Sequence, residues 1–302
     1  MTEHRPIVVP PEPSLLERAA AGFGLAARPV PQLPGAAFAP TAEPFEREIP
    51  SAQARPFTGR RHPLDRDRLR AEGFIVPGDP VTALLEEFRL VKRQLVLAAA
   101  ESRAGIGARI GERILVTSAH PGEGKTYCAV NLALAIAAEK DNEVLLVDAD
   151  FAKPSVLSTL GLPGGPGLMD ALTDPTVAIE DCVIGTDVPG FYVLPAGQAT
   201  NTDSEWLASA RTGQVLDRLS VQAPNRLVLF DSPPLLAASP AAELALHVGQ
   251  TLVVVRAERT GEAAVKDALS LVAGCEDVKL LLNGAQFSPT GRRFGAYYGY
   301  GS

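Results

Sequence analysis

Residues 114–127 read ILVTSAHPGEGKTY, an apolar run followed by a glycine-rich turn and the start of a predicted helix. Ala119, followed after four residues by Gly124, Lys125 and Thr126, forms the phosphate-loop pattern with alanine in the usual first glycine place. Glycines let such a loop curl so that successive N–H groups point inward, and the helix N-terminus adds its positive dipole end. A plain strand-to-helix turn does not explain the lysine, which would lose hydration without meeting an anion. The stretch therefore predicts a nucleotide-binding loop.

The residue types in this loop suit a nucleoside triphosphate and its metal ion. Lys125 is expected to reach the β- and γ-phosphates of ATP, and the Thr126 hydroxyl is expected to bind Mg²⁺. The predicted nucleotide-binding residues of the loop are Gly122, Glu123, Gly124, Lys125, Thr126 and Tyr127.

Apolar runs of strand length alternate with helical stretches along the chain. The runs include EVLLVDAD, FYVLPAG, RLVLFDSPP, TLVVVR and KLLLNGA, and the helices include TYCAVNLALAIAAE and SEWLASARTGQVLDRLSV. Continuously apolar strands are buried on both faces, and strand–helix–strand alternation produces parallel crossovers. The pattern predicts an α/β fold with a doubly wound, mostly parallel sheet of the P-loop NTPase class. Its ligands are expected at the carboxyl ends of the strands.

Two of these strands end in aspartates, at the edge where a ligand is expected. EVLLVDADFAKP presents Asp148 and Asp150, and RLVLFDSPP presents Asp231, which matches the phosphate-loop signature that holds Mg²⁺. Because side chains alternate along a strand, Asp148 and Asp150 cannot both point the same way, and we expect Asp148 to face the γ-phosphate. The alternative is that one of the three caps the following turn or helix, with Asp150 the first candidate.

Composition divides the chain into three parts. Of 26 prolines, 14 lie in the first 80 residues, where helical or strand periodicity is weak. Such a segment buries too little apolar surface to offset its ordering entropy, so we predict a mostly disordered arm over 1–80, either a spacer or a partner-binding segment. A folded nucleotide-binding domain is predicted over 81–285 and a flexible tail over 286–302. The domain opens with a helix whose apolar face comprises Leu84, Phe88, Val91 and Leu95.

The tail contains three of the five tyrosines of the chain, Tyr297, Tyr298 and Tyr300. Tyrosines in a tip without an apolar pattern bury nothing, so we expect them to act chemically or as a binding motif. The alternative is a solvent-exposed sticky tail. A flexible chain of this length spans roughly 20 Å, which reaches a neighbouring subunit's site.

Bulk composition argues against several other classes of protein. A net charge of -7 gives no sign of a nucleic-acid partner. Cys128, Cys182 and Cys275 form no metal-ligand spacing, so we expect small buried residues in a reducing compartment. Neither a signal-peptide pattern nor a run of roughly 18 apolar residues occurs, so we expect no leader and no membrane span.

Together these motifs resemble those of the bacterial tyrosine autokinases, cytoplasmic kinases that control capsule and exopolysaccharide export. SAHPGEGKT matches the first family motif, LLVDADFAKPS the second and LVLFDSPP the third, and YVLPAG and the tyrosine-rich tail match as well. The resemblance extends from about Val81 to the C-terminus. The proline-rich start and DFAKP are similar to the subgroup encoded beside exosortase and exopolysaccharide genes. One departure is Ala152, which stands in the place of a family arginine; Lys153 beside it cannot make the same bidentate contact.

The resemblance implies an ATP-dependent protein-tyrosine autokinase that phosphorylates its tail tyrosines in trans and regulates exopolysaccharide export. The residues implied in catalysis are Lys125, Asp148 and Asp150, and those implied in Mg²⁺ binding are Thr126, Asp150 and Asp231. Asp148 is the implied acceptor of the phenol proton. Asn283 is implied as an adenine contact, the alternative being a turn former before Gly284.

A second resemblance lies on the first helix, where Glu86, Arg89 and Lys92 follow E-x-x-R-x-x-R with lysine in the last place. The family uses this stripe to join subunits, so we expect a homo-oligomer, a ring. The alternative is an intrahelical ion-pair ladder worth only about 0.2–0.5 kcal/mol per pair. The family also implies a membrane-embedded polysaccharide co-polymerase as activator, which would hold the protein at the inner membrane, and a phosphotyrosine phosphatase.

Two other classes share part of this pattern. Partition-type ATPases have the same fold and aspartates, but they carry KGGxGKT and lack a tyrosine cluster. Here the place of their first lysine is His120, followed by Pro121. A nucleotide-switched adaptor of an export complex would bind its partner through the N-terminal arm and turn over ATP weakly.

Overall fold

One eight-stranded sheet runs through the described part of the chain, residues 57–285 without 58, 105–108, 221–222 and 224. In this computed structural model the strands are β1 (Arg61–His62), β2 (Arg113–Ser118), β3 (Glu143–Asp148), β4 (Ile184–Thr186), β5 (Phe191–Leu194), β6 (Arg226–Asp231), β7 (Gln250–Arg256) and β8 (Asp277–Asn283). Their order across the sheet is β1-β4-β5-β3-β6-β2-β7-β8, and all neighbours are parallel except β4 and β5. The predicted mostly parallel sheet is confirmed.

Helices connect these strands. They are α1 (Arg66–Ala71), α2 (Ala83–Ala104), α3 (Lys125–Ala137), α4 (Val156–Leu160), α5 (Leu168–Thr173), α6 (Asp203–Leu207), α7 (Ala210–Ser220), α8 (Pro240–Ala245) and α9 (Glu262–Leu271), with 3-10 turns at Arg109–Glu112 and Ile179–Cys182. The single helix predicted over SEWLASARTGQVLDRLSV is two helices, α6 and α7. The predicted apolar face of α2 is confirmed, because Phe88 and Leu95 are buried and Leu84 and Val91 pack against the same cluster.

Two apolar clusters form the core, one on each face of the sheet. On β3, Leu145 and Val147 join one cluster, whereas Val144 and Leu146 join the other. Successive strand residues point to opposite faces, so a strand covered on both sides must be apolar at every position. This explains the uninterrupted apolar runs of the central strands.

The strand β8 departs from this rule. It lies at the edge of the sheet, and Leu280 and Leu282 are 56% and 60% exposed. The prediction that KLLLNGA is buried on both faces is therefore wrong. An apolar run alone does not distinguish a central strand from an edge strand.

The segment 59–80 belongs to the folded unit, so the predicted disorder of that part of the arm and the domain boundary at Val81 are wrong. β1 pairs with β4, and Leu64, Leu69 and Ile75 are 5%, 0% and 6% exposed. These apolar residues are too widely spaced to produce a periodic pattern, yet each packs into one of the two apolar clusters of the core. The remainder of the predicted arm and the predicted tail with its three tyrosines lie outside the described residues.

Two further expectations concern burial and membrane crossing. Cys128, Cys182 and Cys275 are free and buried, as expected. Among the residues that the structure describes, no helix has the length and apolar character needed to cross a membrane.

Candidate functional site

The loop between β2 and α3 has the backbone shape that its glycines predict. Gly122 and Gly124 have φ values of 78° and 92°, a region that side-chain-bearing residues rarely adopt. Gly124 is the N-cap of α3, and a Cβ added there would lie 2.2 Å from Nδ2 of Asn283. The backbone conformation therefore favours glycine at this position, and a larger residue would also have to displace the Asn283 side chain. The predicted strand–loop–helix context is confirmed.

Glu123 braces this loop from within. Its side chain is buried; Oε2 accepts a hydrogen bond of 2.9 Å from the backbone N–H of His120, and Oε1 accepts one from the Thr260 hydroxyl. Asn283 donates through Nδ2 to the Glu123 carbonyl at 2.8 Å. Asn283 thus supports the loop, and its contact with adenine stays a prediction. Thr260 was missed by the sequence analysis, although it follows β7, the neighbour of β2.

Asp150 is the carboxylate that reaches the loop. Its Oδ2 lies 3.1 Å from Nζ of Lys125, and both side chains are largely buried. Its Oδ1 accepts a hydrogen bond of 3.2 Å from the backbone N–H of Lys153. Asp150, and not Asp148, therefore pairs with the loop lysine, and the expectation that Asp148 faces the γ-phosphate stays a prediction. β3 ends at Asp148, so the strand alternation behind that expectation no longer governs the residues that follow.

Asp148 instead caps a helix. Its Oδ2 accepts hydrogen bonds of 2.9 Å and 3.0 Å from the backbone N–H groups of Ser155 and Val156, at the start of α4. Its Oδ1 accepts one longer bond of 3.3 Å from the N–H of Asp150. The capping alternative thus applies to Asp148, for which it was not the first candidate. Burial raises the pKa of Asp148 to about 6, although these backbone hydrogen bonds lower it.

Asp231 is fully buried and lies opposite Asp148 in the β3–β6 register. Neither carboxylate oxygen meets a donor in hydrogen-bond geometry within the described part of the chain. Burial raises the pKa of Asp231 to about 7, while the nearby Thr126 hydroxyl and Lys125 ammonium lower it and Asp148 adds to the rise. A buried carboxylate without donors is costly unless a cation or a proton accompanies it. This environment fits a metal ligand, which is the role predicted for Asp231.

The side chain of Tyr127 turns away from the loop. Its hydroxyl donates to the Gly73 carbonyl at 2.9 Å, and its ring lies 4.9 Å from that of Phe74, centroid to centroid. Its neighbour on α3, Asn131, accepts a hydrogen bond from the N–H of Ile75. The side chain of Tyr127 therefore joins α3 to the segment 59–80, and its predicted contact with the nucleotide stays a prediction.

The charged stripe of α2 forms pairs within the chain. Arg89 pairs with Glu86 one turn earlier, as in the ion-pair alternative. Lys92 is 6% exposed and pairs with Glu139, just beyond α3. Lys92 therefore holds α2 against its neighbouring helix, and the role of the stripe in assembly stays a prediction. Ala152 and Lys153, where the family arginine would stand, are both exposed.

Comparisons with known proteins agree with this geometry. No family model matches the chain. The tyrosine-protein kinase wzc of Salmonella typhimurium is 29% identical over 235 residues, which is 77% of this chain and 31% of that protein. The tyrosine-protein kinase YwqD of Bacillus subtilis is 27% identical over 212 residues, 70% of this chain and 85% of that protein. The solved BceF tyrosine kinase domain superposes with a TM-score of 0.55 at 29% identity, over 65% of this chain and 76% of that domain.

The chain is thus similar to bacterial tyrosine kinases over most of its length. It spans about a third of the length of wzc, the relative with the longer alignment. The matched portion carries the features on which the family resemblance rested, namely the phosphate loop and the aspartates that end β3 and β6.

Proposed function

We propose that this chain is a bacterial tyrosine kinase that binds MgATP at the phosphate loop and transfers the γ-phosphoryl group to tyrosine. The acceptors are the tail tyrosines Tyr297, Tyr298 and Tyr300 of a neighbouring subunit. The observation that carries the proposal is the meeting of Lys125, Asp150 and the buried Asp231 at the carboxyl ends of adjacent strands. The names of the relatives support tyrosine as the acceptor.

The metal site proposed for Mg²⁺ consists of Thr126, Asp150 and Asp231. The described residues contain no cluster of three or more His, Cys, Asp or Glu side chains that could hold a metal alone. Two carboxylates and a hydroxyl suit Mg²⁺, which commonly binds one or two carboxylates together with phosphates and water. The fit rests on Asp231, whose buried oxygens accept no hydrogen bond of ordinary geometry among the described residues and lie near the Thr126 hydroxyl. Bound Mg²⁺ would neutralise charge on the phosphates.

The proposed transfer exchanges one bond to phosphorus for another. The tyrosine oxygen bonds to the γ-phosphorus while the bond between that phosphorus and the bridging oxygen breaks, which yields phosphotyrosine and ADP. A phenol with a pKa near 10 is mostly protonated at neutral pH, so its proton must pass to a base. Asp148 is our candidate, because capping occupies its Oδ2 and leaves Oδ1 with one long contact. When ATP binds, Lys125 would break its ion pair with Asp150 and contact the phosphates instead.

The biological setting follows from the family. We propose a homo-oligomer, a membrane-embedded activator, a phosphotyrosine phosphatase and regulation of exopolysaccharide export. The named function of the relatives supports the kinase, and the polysaccharide and the activator would be identified by co-purification. A nucleotide-switched adaptor is the second candidate, because Glu123, Thr260 and Asn283 preorganise the loop for binding without requiring turnover.

The test is incubation of the purified chain with γ-labelled ATP and Mg²⁺. We expect label on protein tyrosine for the wild type and at least a 100-fold loss for Lys125→Met. Lys140→Met, at an exposed lysine, is the matched control and should label normally. Release of free phosphate without labelled tyrosine would indicate an ATPase, and binding without either product would indicate the adaptor.

A further inference from the structure

The strand β8 presents an apolar face that the described part of the chain leaves uncovered. Leu280 and Leu282 on this strand are 56% and 60% exposed. Because side chains alternate along a strand, Val278 lies on the same face, and it packs against one of the two core clusters. The apolar face therefore runs from the core at Val278 out to solvent at Leu280 and Leu282.

The strand β8 is also an open edge of the sheet. All of its residues, Asp277–Asn283, pair with β7 on the inner side. Among the described residues no strand lies on its outer side, so the backbone N–H and C=O groups there can pair with an added strand. Lys279 is turned to Gln250 of β7 and to Asp277 of its own strand. The edge thus lacks the proline or unpaired lysine that commonly protects an edge strand.

The chain itself supplies a segment with the pattern of a partner strand. After Asn283 and ten further residues the sequence reads FGAYYGY, residues 294–300, which has the same length of seven residues as β8. Phe294, Ala296, Tyr298 and Tyr300 occupy alternate positions, and two of the three residues between them are glycines. Alternation with a period of two and a high aromatic content are typical of a half-buried strand. Glycines weaken such a strand, so it could also be released.

The connection between β8 and this segment favours the chain's own tail over a separate peptide. The tether 284–293 would keep the segment beside β8 at a high effective concentration. Gly284 has a φ of 66°, so the chain turns as soon as the strand ends. Pro289 and Gly291 in the tether are typical turn residues, which suit a return in the antiparallel direction.

We propose that residues 294–300 add to the outer edge of β8 as an antiparallel strand, which withholds the tail tyrosines from phosphoryl transfer until the strand is released. Opposite residues of an antiparallel pair share a face, so a register with Tyr298 opposite Leu280 places Tyr300 opposite Val278. Aromatic and aliphatic side chains paired in this way stabilise a sheet. The withholding of the tyrosines rests on the proposed kinase function, whereas the docking of the strand does not.

A disulfide between the two strands tests the docking without any measurement of activity. Opposite residues in an antiparallel pair have the Cα separation that a disulfide needs. The full chain carries Leu280→Cys with Tyr298→Cys, and Ala296→Cys or Tyr300→Cys in place of the latter covers a register shifted by two residues. The matched control pairs Tyr298→Cys with Leu97→Cys, because Leu97 of α2 is 53% exposed.

Under mild oxidation of dilute protein, we expect at least one of the three Leu280→Cys pairs to form an intrachain disulfide with a yield at least tenfold above the control. Peptide mass spectrometry locates the bond, and the native cysteines are buried and should stay free. Yields equal to the control in all three pairs would overturn the docking. A disulfide found only between two chains would overturn docking of the chain's own tail.

Phosphoryl transfer tests whether docking withholds the tyrosines. The oxidised Leu280→Cys/Tyr298→Cys protein should label its remaining tail tyrosines at least tenfold more slowly than the same protein after reduction with dithiothreitol. Leu280→Asn with Leu282→Asn should weaken the added strand, so tail labelling and chymotryptic cleavage at the tail tyrosines should both rise at least threefold. The Kd for a fluorescent ATP analogue should stay within twofold. Leu97→Asn is the control and should change none of these values.

The two measurements separate failure of the docking from failure of the kinase. If the disulfide forms and no protein labels tyrosine before or after reduction, the docked strand stands and the proposed kinase function fails. If oxidised and reduced protein label tyrosine at equal rates, the withholding is overturned. If tyrosine is labelled and no disulfide exceeds the control, the kinase stands and the docked strand is overturned.

Discussion

Asp148 and Asp231 lie opposite each other in register at the carboxyl ends of the neighbouring parallel strands β3 and β6. Both are buried, but backbone N–H groups hold the carboxylate of Asp148, whereas among the described residues the oxygens of Asp231 accept no hydrogen bond of ordinary geometry, although the Thr126 hydroxyl lies nearby. Two carboxylates in different surroundings can serve different chemical roles. The contrast supports a fixed proton acceptor at Asp148 and a metal ligand at Asp231.

The first prediction concerns stability against pH. Burial raises the pKa of Asp231 to about 7 in the folded chain, against an ordinary value near 4 when unfolded. Between these values the folded state binds a proton that the unfolded state has lost, so the free energy of unfolding falls as pH rises from about 4 to about 7. The pKa of Asp148, raised to about 6, acts in the same direction.

Asp231→Asn should therefore flatten this decline in nucleotide-free protein. Thermal melts of the wild type and the variant at pH 5, 6, 7 and 8 check it. Glu205→Gln, at an exposed acid, is the control and should keep the wild-type slope. Parallel slopes for the wild type and Asp231→Asn would contradict a buried, proton-binding Asp231.

The second prediction separates the two proposed roles of Asp148. Asparagine is as good a helix cap as aspartate, so Asp148→Asn should keep the bonds to α4 while losing the proton acceptor. We expect tyrosine phosphorylation to fall by about 10²–10⁴ with little change in melting temperature. Asp148→Ala loses the cap as well. Its free energy of unfolding should fall by about 1 kcal/mol, so that it also melts at a lower temperature. Full transfer activity in Asp148→Asn would leave Asp148 as a cap alone.

The third prediction concerns the N-terminal boundary. Leu69 is fully buried in α1, and the segment 59–80 contacts α3 directly after the phosphate loop. Leu69→Ala should cost about 2–5 kcal/mol of stability. A chain that begins at residue 57 should bind nucleotide, and one that begins at residue 81 should fold poorly and bind weakly. Circular dichroism and nucleotide titration test both, and normal binding by the shorter chain would contradict the corrected boundary.

The sequence predicted those parts of the site that depend on local pattern. The phosphate loop and the strand-end aspartates follow from motif and periodicity over a few residues. Thr260 and Asn283 brace Glu123 from 137 and 160 residues away, a separation that one sequence does not reveal. That Asp150 reaches Lys125 while Asp148 caps α4 depends on where β3 ends. The order of segment 59–80 comes from contacts with the rest of the fold and not from its own propensity.

The fourth prediction divides the charged stripe of α2 into two parts. Arg89 and Glu86 have side chains 41% and 27% exposed, whereas Lys92 is buried against Glu139. Glu86→Ala with Arg89→Ala should lower the oligomeric mass measured by light scattering. Lys92→Met should keep the mass and lower the melting temperature by a few degrees, because it removes only an intrachain pair. An unchanged mass in the double variant would leave the stripe as an ion-pair ladder.

The last prediction is that the tail is phosphorylated in trans and that its modification weakens assembly. Three phosphates would add roughly -4.5 to -6 charges near neutral pH. Asp148, Asp150 and Asp231 already make the carboxyl end of the sheet acidic. A phosphorylated tip should therefore be expelled by like-charge repulsion, whereas the unmodified tip, preceded by Arg292 and Arg293, should be attracted.

The test of this switch mixes two proteins, neither of which can phosphorylate its own tail. One protein carries Lys125→Met with an intact tail, and the other keeps Lys125 but ends at residue 285. Mass spectrometry should find phosphate on the tail tyrosines of the Lys125→Met protein, and light scattering should show a smaller assembly after phosphorylation than before it. Phosphate found only when loop and tail share one chain would mean transfer in cis. Phosphate found in trans with an unchanged mass would keep the kinase and remove the switch, because repulsion at the acidic site would then be too weak to release the tail.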